Sequence, residues 1–176
     1  LSAQLAYKRH FPAIDWLISY SLYADRLGEW FDRNVGEDFM ELRAFAMNIL
    51  QQEANLQEIV RLVGMDALSY RDRMTMETAK MIREDFLHQN AFHEVDTFAS
   101  LNKQYKMLKL IHLFHELGNQ AVDNYADFED ILAVPAKEKI GRAKYVPEGE
   151  LATLDDIGAE LTAQLKALSD GGESND

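Results

Sequence analysis

Residues 42–64 read LRAFAMNILQQEANLQEIVRLVG, and this stretch decides the fold class. Its apolar residues recur at steps of three and four, which is the period of an α-helix rather than that of a strand. The stripe consists of Leu42, Ala46, Ile49, Leu56, Val60 and Val63, with Glu53 at its one polar step. The pattern predicts a helix that begins near Glu37 and ends at Gly64, because glycine commonly ends helices.

The helical period continues on both sides of this stretch. A first helix is predicted to begin at Pro12 and to end near Gly36, with one stripe of Trp16, Tyr20, Tyr23, Leu27 and Trp30. Ser69 and Asp72 fit a capping box, which predicts a third helix with Met74, Thr78, Ile82 and Phe86 on one side. The second and third helices then form an antiparallel hairpin whose turn lies at residues 65–68.

Three more helical segments follow. A fourth helix is predicted over residues 101–125, with a stripe of Met107, Leu110, Phe114, Leu117 and Ala121. A short fifth helix is predicted over residues 128–132, ending before Pro135. A second capping box, at residues 153–156, predicts a last helix with inward-facing Leu154, Ile157, Leu161, Leu165 and Leu168. The expected fold is an all-α helical bundle of about five to six helices with antiparallel hairpins.

The domain organisation follows from these segments. Residues 1–12 are expected to be a linker, residues 13–147 the helical bundle, residues 148–169 an acidic carboxy-terminal helix, and residues 170–176 a disordered tail. From Glu148 onward the chain has eight acidic residues and one lysine, so this end is expected to pack loosely or only against a partner. The chain begins with Leu1 rather than Met and is expected to be a fragment of a longer protein.

Composition excludes several functional classes. The formal charge is −12, from 30 acidic residues against 18 Lys and Arg, which disfavours binding to nucleic acid or anionic lipid. There is no cysteine, so disulfides and thiolate metal sites are excluded. No run approaches the roughly 18 apolar residues that span a bilayer, so we expect a cytoplasmic domain without direct membrane insertion.

The sequence also lacks the motifs of an independent enzyme. It has no glycine-rich phosphate loop, no nucleophile elbow and no second His after His115-Glu116. His88, His112 and His115 are not in paired metal-binding motifs, so surface or hydrogen-bonded histidines are expected. The chain alone is expected to be non-catalytic and to bind neither metal nor cofactor.

Two aromatic residues, Phe11 and Phe92, occupy positions that a helical core does not require. The residue before a proline is pushed toward extended geometry, so Phe11 is expected to project away from the helix that follows. Phe92 also has a simpler, purely structural interpretation, in which it serves the fold alone and packs back on the last turn of the third helix, with Asn90 in the left-handed region. The residues alone leave open whether Phe92 has this structural role or a functional one.

Three segments resemble one protein family. Residues 8–23 read KRHFPAIDWLISYSLY, residues 56–64 read LQEIVRLVG, and residues 82–92 read IREDFLHQNAF. They resemble the carboxy-terminal domain of the catalytic A (alpha) subunit of V- and A-type rotary ATPases, or ATP synthases. The resemblance covers residues 5–145, and the acidic end matches no family segment.

The resemblance implies a function for the longer subunit. It implies ATP hydrolysis or synthesis with ATP or ADP and Mg²⁺, coupled to proton or sodium ion transport by a peripheral membrane complex. In this family Phe11, Ala91 and Phe92 would help line the adenine pocket, whereas the phosphate loop lies upstream, before the 1–12 linker. The implied partners are the B subunits of an alternating hexamer and the central rotor stalk.

The resemblance also places the hairpin turn near the rotor. Its position is similar to the acidic lever of F-type catalytic subunits, and the implied rotor contact consists of Met65, Asp66, Leu68, Ser69 and Tyr70. Ala67, Tyr70 and Arg71 dilute the acidic run, so a steric and apolar contact through Met65 and Leu68 is expected. The alternative for the turn is an ordinary capped turn without a partner. The alternatives for the whole chain are a free-standing helical interaction module without a nucleotide role and a metal-dependent bundle enzyme.

Overall fold

A computed structural model describes residues 1–172, apart from the side chain of Asp25. Within these residues the chain forms eight α-helices and no strand, which confirms the all-α class and exceeds the predicted number of helices. None of these described helices is long and apolar enough to cross a membrane. The helices are α1 (Ala3–Tyr7), α2 (Ala24–Asn34), α3 (Phe39–Val63), α4 (Tyr70–Met81), α5 (Leu101–Asp123), α6 (Phe128–Ala133), α7 (Pro135–Gly141) and α8 (Ala152–Gly172).

Helices α3 and α4 form the predicted hairpin. α3 ends at Gly64, which has a positive φ of 87°, and a single 3₁₀ turn, Met65–Ala67, leads toward α4. At the start of α4 the Ser69 hydroxyl accepts from the Asp72 amide at 3.2 Å and donates to the Asp72 carboxylate at 2.7 Å. The predicted Ser69 N-cap is therefore confirmed, since its hydroxyl satisfies an otherwise unpaired amide, whereas the Asp72 carboxylate bonds to that hydroxyl in place of the backbone amide that a capping box requires.

Helix α5 lies at the centre of the core and packs against α3, α4, α7 and α8. Its predicted stripe is buried, as are four of the five predicted positions on α8; these side chains are Met107, Leu110, Phe114, Leu117, Ala121, Leu154, Ile157, Leu161 and Leu165. Ion pairs flank the contacts of α8, from Lys106 to Asp155 at 2.6 Å and from Lys139 to Glu160 at 2.5 Å. The expectation that the acidic end packs loosely is therefore wrong, because its apolar face completes the core.

The predicted start of the first helix is also wrong. α2 begins at Ala24 rather than Pro12, and residues 11–23 form turns instead. The Asp15 carboxylate accepts from the amides of Leu17 and Ile18, and the Ser21 hydroxyl accepts from the Tyr23 amide. Such local side-chain bonds compete with the helical ones. As a result, most of the predicted stripe remains exposed; Tyr20, Tyr23, Leu27 and Trp30 are 83%, 66%, 44% and 48% exposed.

Four smaller features differ from the predicted ones. The expected linker contains α1, and α7 begins at Pro135, which the sequence analysis treated only as a stop. α8 begins at Ala152, so Thr153 lies inside the helix and not at its N-cap. The same helix runs to Gly172, so residues 170–172 are helical, and residues 173–176 of the predicted disordered tail lie outside the described part.

Helix α4 ends in a π-helical turn, Ile82–Leu87, in which the His88 amide donates to the Arg83 carbonyl at 3.0 Å. The Arg83 guanidinium donates from Nε and Nη2 to the Glu53 carboxylate, at distances between 2.9 and 3.2 Å. Glu53 is buried on α3, so this ion pair explains the one polar step of the α3 stripe. The pair fixes the end of α4 against α3.

Candidate functional site

A loop of residues 88–100 connects the π-turn to α5, and hydrogen bonds close a bend within it. The Asn90 amide donates to Asp96 Oδ2 at 2.6 Å, and the Phe92 amide donates to Asn90 Oδ1 at 3.0 Å. His93 Nδ1 accepts from the amides of Val95 and Asp96, both at 3.2 Å. Nearly every backbone amide of the bend therefore has a defined partner, although the loop is not helical.

The bend presents the residues that the resemblance assigns to an adenine pocket. The Gln89 amide donates to the Phe11 carbonyl at 2.8 Å, which places Phe11 beside the start of the bend that carries Ala91 and Phe92. The Phe11 side chain is 49% exposed, and that of Phe92 is 99% exposed. The two aromatic side chains thus belong to neighbouring segments of one surface, although residue 11 and residue 92 are far apart in sequence.

The simpler interpretation of Phe92 is wrong. A side chain that is 99% exposed does not pack on the last turn of α4. Asn90 is also not among the residues with positive φ in the described part of the chain, which are Arg9, Tyr125 and Gly64. The Asn90 side chain instead accepts from the Phe92 amide, as in an Asx-turn.

Two lysines anchor the loop to the bundle. Lys103 on α5 is fully buried, and its ammonium group donates to the Lys144 carbonyl at 2.8 Å. Burial lowers the pKa of Lys103, whereas the nearby carboxylates of Glu148 and Asp96 oppose that shift. The Lys144 ammonium group donates to the Glu84 carbonyl at 2.9 Å, which ties the segment after α7 to the π-turn.

The hairpin tip lies at the opposite end of α4. Of the five residues assigned there, Met65 and Tyr70 are 44% and 58% exposed, and Asp66 and Ser69 are also exposed. Leu68 is only 7% exposed, so its side chain does not provide the apolar surface that the sequence analysis expected from it. Arg73 braces the tip, because its guanidinium lies 3.3 Å from Asp66 and 5.5 Å from the ring centroid of Tyr70.

Sequence reasoning missed the main apolar surface at this tip. Leu62 and Val63, in the last turn of α3, are 78% and 64% exposed. The period had placed Val63 on the inward stripe, but α3 buries that stripe only in its first half, at Leu42, Ala46, Ile49, Leu50 and Glu53. No separate signal in the sequence marks this surface, because two consecutive apolar residues of one helix can both be buried, as Ile49 and Leu50 are.

The central histidines have protein partners. Thr78 Oγ1 lies 2.9 Å from His115 Nδ1, and Asn119 Nδ2 lies 3.1 Å from His115 Nε2. His112 meets the ring of Phe45 edge-on, at a centroid distance of 4.6 Å. Within residues 1–172 no group of three or more His, Asp or Glu side chains has a geometry that could hold a metal ion.

Comparison with known proteins identifies the family. Residues 28–131 match the family model described as the C-terminal domain of V and A type ATP synthase. The chain is 54% identical over 175 residues to a V-type ATP synthase alpha chain of Thermoanaerobacter pseudethanolicus, covering 99% of this chain and 30% of that protein. It is 57% identical over 169 residues to the alpha chain of Clostridium novyi, covering 96% of this chain and 29% of that protein.

These matches correct one expectation and confirm another. The similarity to the Thermoanaerobacter protein covers 99% of the chain, so the acidic end is part of the resemblance and not a segment without relatives. The chain spans about 30% of the length of its relatives. More than half of the chain matches the family model, and the relatives are well above 30% identical. The chain therefore belongs to the family of carboxy-terminal domains of V- and A-type ATP synthases.

Proposed function

We propose that this domain supplies the adenine contact of the nucleotide site in the alpha chain of a V/A-type rotary ATP synthase, through Phe11, Ala91 and Phe92. The observation that carries the proposal is the Phe92 side chain, which is 99% exposed on a bend closed by hydrogen bonds. A large exposed aromatic on a defined bend is suited to stacking on a flat base. Each stacked base contributes about 1–3 kcal/mol in base-binding proteins.

The remaining parts of the nucleotide site belong to the longer protein. The relatives, each named as a V-type ATP synthase alpha chain, are about three times as long as this chain, since it covers 30% of the first of them. The sequence contains no glycine-rich phosphate loop. Binding of the phosphates and Mg²⁺ and the hydrolysis or synthesis of ATP are therefore proposed for residues outside this chain.

The second part of the proposal concerns the hairpin tip. Leu62, Val63, Met65 and Tyr70 form an exposed apolar surface where α3 turns into α4, with Asp66 and Ser69 between them. We place the contact with the central rotor stalk here, within a hexamer of alternating A and B subunits. Leu68 supports the turn from inside, because it is buried. Such a contact would couple the nucleotide site to transport of protons or sodium ions.

The adenine contact is tested by Phe92→Ala in the full-length subunit within the assembled complex. Losing about 1.4 kcal/mol of stacking should raise the KM for ATP roughly tenfold, with a smaller effect on kcat. The substitution should not unfold the domain, because the side chain is 99% exposed. Steady-state ATPase kinetics over a range of ATP concentrations measure both constants.

Tyr125→Ala is the matched control. Tyr125 is 87% exposed and follows the far end of α5, about 35 Å from the end that adjoins the 88–100 loop. Its truncation removes a comparable exposed aromatic and should leave the KM for ATP unchanged. An unchanged KM in a folded Phe92→Ala complex would exclude the adenine contact.

A further inference from the structure

The bend that presents Phe92 depends on a carboxylate that lies outside the proposed contact surface. Asp96 is only 4% exposed, and its Oδ2 accepts from the Asn90 amide at 2.6 Å. Asn90 in turn orients the Phe92 amide through its own side chain at 3.0 Å. Asp96 is therefore one hydrogen bond away from Asn90 and two away from Phe92.

A buried carboxylate is costly unless it is paired and hydrogen-bonded. Lys103, which is fully buried, lines the same cavity as Asp96; burial lowers the pKa of Lys103, and the charge of Glu148 and, to a smaller extent, that of Asp96 oppose this shift. Lys103 is held in turn by the Lys144 carbonyl at 2.8 Å, on the segment that follows α7. Lys103 therefore ties α5 to the segment after α7, beside the carboxylate that accepts from the Asn90 amide.

Packing alone does not hold the loop in place. A cavity of about 350 Å³ lies behind it and is lined by Pro12, Phe86, Phe98, Asp96, Lys103 and Met107, among others. A segment with open space behind it is not fixed by close contact with a core. The hydrogen bonds of Asp96 and Asn90 therefore help to hold the backbone that carries Phe92, together with the His93 ring, whose centroid lies 4.5 Å from that of Tyr145.

We propose that Asp96 is a positioning residue for nucleotide binding, which holds the Asn90–Phe92 bend in place by accepting from the Asn90 amide. This inference rests on the proposed function, in which Phe92 contacts the adenine. Asp96 itself acts through Phe92 and does not touch the base. Its substitution should therefore affect the KM for ATP more than kcat.

The test is a double-mutant cycle in the full-length alpha chain within the assembled complex, with Phe92→Ala, Asp96→Ala and the pair. We expect Asp96→Ala to raise the KM for ATP by about three- to tenfold, and the pair to raise it no further than Phe92→Ala does. Asp127→Ala is the matched control. Asp127 is also an aspartate that accepts backbone amides, from Glu129 at 2.8 Å and from Asp130 at 3.4 Å, but at the start of α6. It should leave the KM unchanged.

Hydrogen exchange of the peptide that covers residues 89–98 gives a readout independent of nucleotide. Exchange should be faster in Asp96→Ala than in the unsubstituted complex and should not change in Asp127→Ala. If Asp96→Ala does not assemble, Asp96→Asn takes its place, because it keeps the volume but removes the charge. The same direction of change is then expected, with a smaller rise in the KM.

The outcomes separate this inference from the proposed function. If Phe92→Ala raises the KM but the Asp96 variant does not, the positioning role is excluded. Effects of the two substitutions that multiply in the pair would also exclude it, because Asp96 would then act independently of Phe92. If Phe92→Ala leaves the KM for ATP unchanged, the proposed adenine contact is excluded. If hydrogen exchange of residues 89–98 is also unchanged in the Asp96 variant, Asp96 does not position the bend.

Discussion

His115 is the titratable side chain with the most complete set of partners on α5. Thr78 and Asn119 bond to its two ring nitrogens, at 2.9 Å and 3.1 Å. Burial lowers the pKa of His115 below its usual value of 6.5, with smaller contributions from neighbouring charges. The folded domain therefore favours the neutral ring, and the unfolded chain binds a proton more readily.

This linkage predicts a pH-dependent loss of stability. Because the folded pKa of His115 is depressed, its contribution is complete above the unfolded pKa of 6.5 and is lost as the pH falls through the folded pKa. The free energy of unfolding should therefore decrease between about pH 7.5 and pH 5.5. His115→Gln should reduce this dependence in chemical denaturation at each pH, and the slope that remains should include the contribution of His10, whose pKa is also lowered by burial. A slope unchanged by His115→Gln would exclude His115 as its source.

At the residue scale, the sequence could single out Phe92 but not Asp96. Phe92 was recognisable because no helical stripe required it and a family segment contained it. Asp96 was not, because an aspartate in a polar loop is ordinary until the loop folds back and buries it to 4% exposure. The prediction that Leu68 forms part of the exposed contact surface was wrong, because an apolar residue in a turn can face either the core or the solvent.

At the scale of single elements, the Glu53–Arg83 pair joins α3 to the π-turn. Glu53 is buried, and the Arg83 side chain is about one quarter exposed, at 26%. Removing the cation would leave a buried carboxylate without its partner, which costs more than the loss of an exposed pair. The pair should therefore hold the two helices of the hairpin in register.

Arg83→Met should lower the free energy of unfolding by about 2–3 kcal/mol, somewhat less than for a fully buried pair because Arg83 remains partly solvated. Glu29→Gln is the control, since it breaks the exposed pair with Arg33, whose side chains are 74% and 85% exposed. That control should cost less than about 0.5 kcal/mol. Urea denaturation of the three proteins measures the difference, and equal costs would contradict the role of the buried pair.

Most helices with apolar periodicity over several turns were predictable. α3, α4, α5 and α8 followed the 3.6-residue period, and their ends were close to the predicted ones. Residues 12–23 have the same period but form turns, in which the Asp15 and Ser21 side chains accept from nearby amides. α7 was missed because Pro135 was interpreted only as a stop, although proline is also favoured in the first turn of a helix.

Across the whole molecule, the two proposed contact regions lie at opposite ends of one rod. α4 and the π-turn together run from Tyr70 to Leu87, a length of about 25 Å. The apolar tip lies at one end, and the bend with Phe92 follows the other. A buried face of Met74, Thr78, Ala79 and Ile82 keeps this rod packed against the core. Displacement at one end should therefore be transmitted to the other without bending.

The apolar tip predicts a mechanical phenotype distinct from that of Phe92. Replacing Leu62 and Val63 together by Ser should reduce the coupling between ATP hydrolysis and ion transport, because these side chains supply the exposed apolar surface. The KM for ATP should stay within about twofold of the unsubstituted value. The ratio of ions transported to ATP hydrolysed in reconstituted vesicles measures the coupling.

Asp66→Asn provides the contrast for a contact based on charge. Asp66 is fully exposed at the same tip, and its substitution should leave the coupling ratio intact if the contact is apolar. Asp66→Cys also allows crosslinking to the central stalk, because this chain has no cysteine of its own. If no crosslink forms in any nucleotide state, the tip does not contact the rotor, and a large loss of coupling in Asp66→Asn alone would favour a contact based on charge.

The π-turn Ile82–Leu87 limits which substitutions, insertions and deletions this chain can accept during evolution. Each residue advances an α-helix by about 100°, and a wider turn accommodates one extra residue within the same helix. The number of residues in this turn therefore sets the direction, around the helix axis, in which the chain leaves the π-turn. That direction brings the Gln89 amide to the Phe11 carbonyl. Side chains on the outer face of the turn can vary with little effect on that direction, whereas an insertion or a deletion would rotate everything that follows. The segment 82–87 is thus constrained in its length more strictly than in its composition.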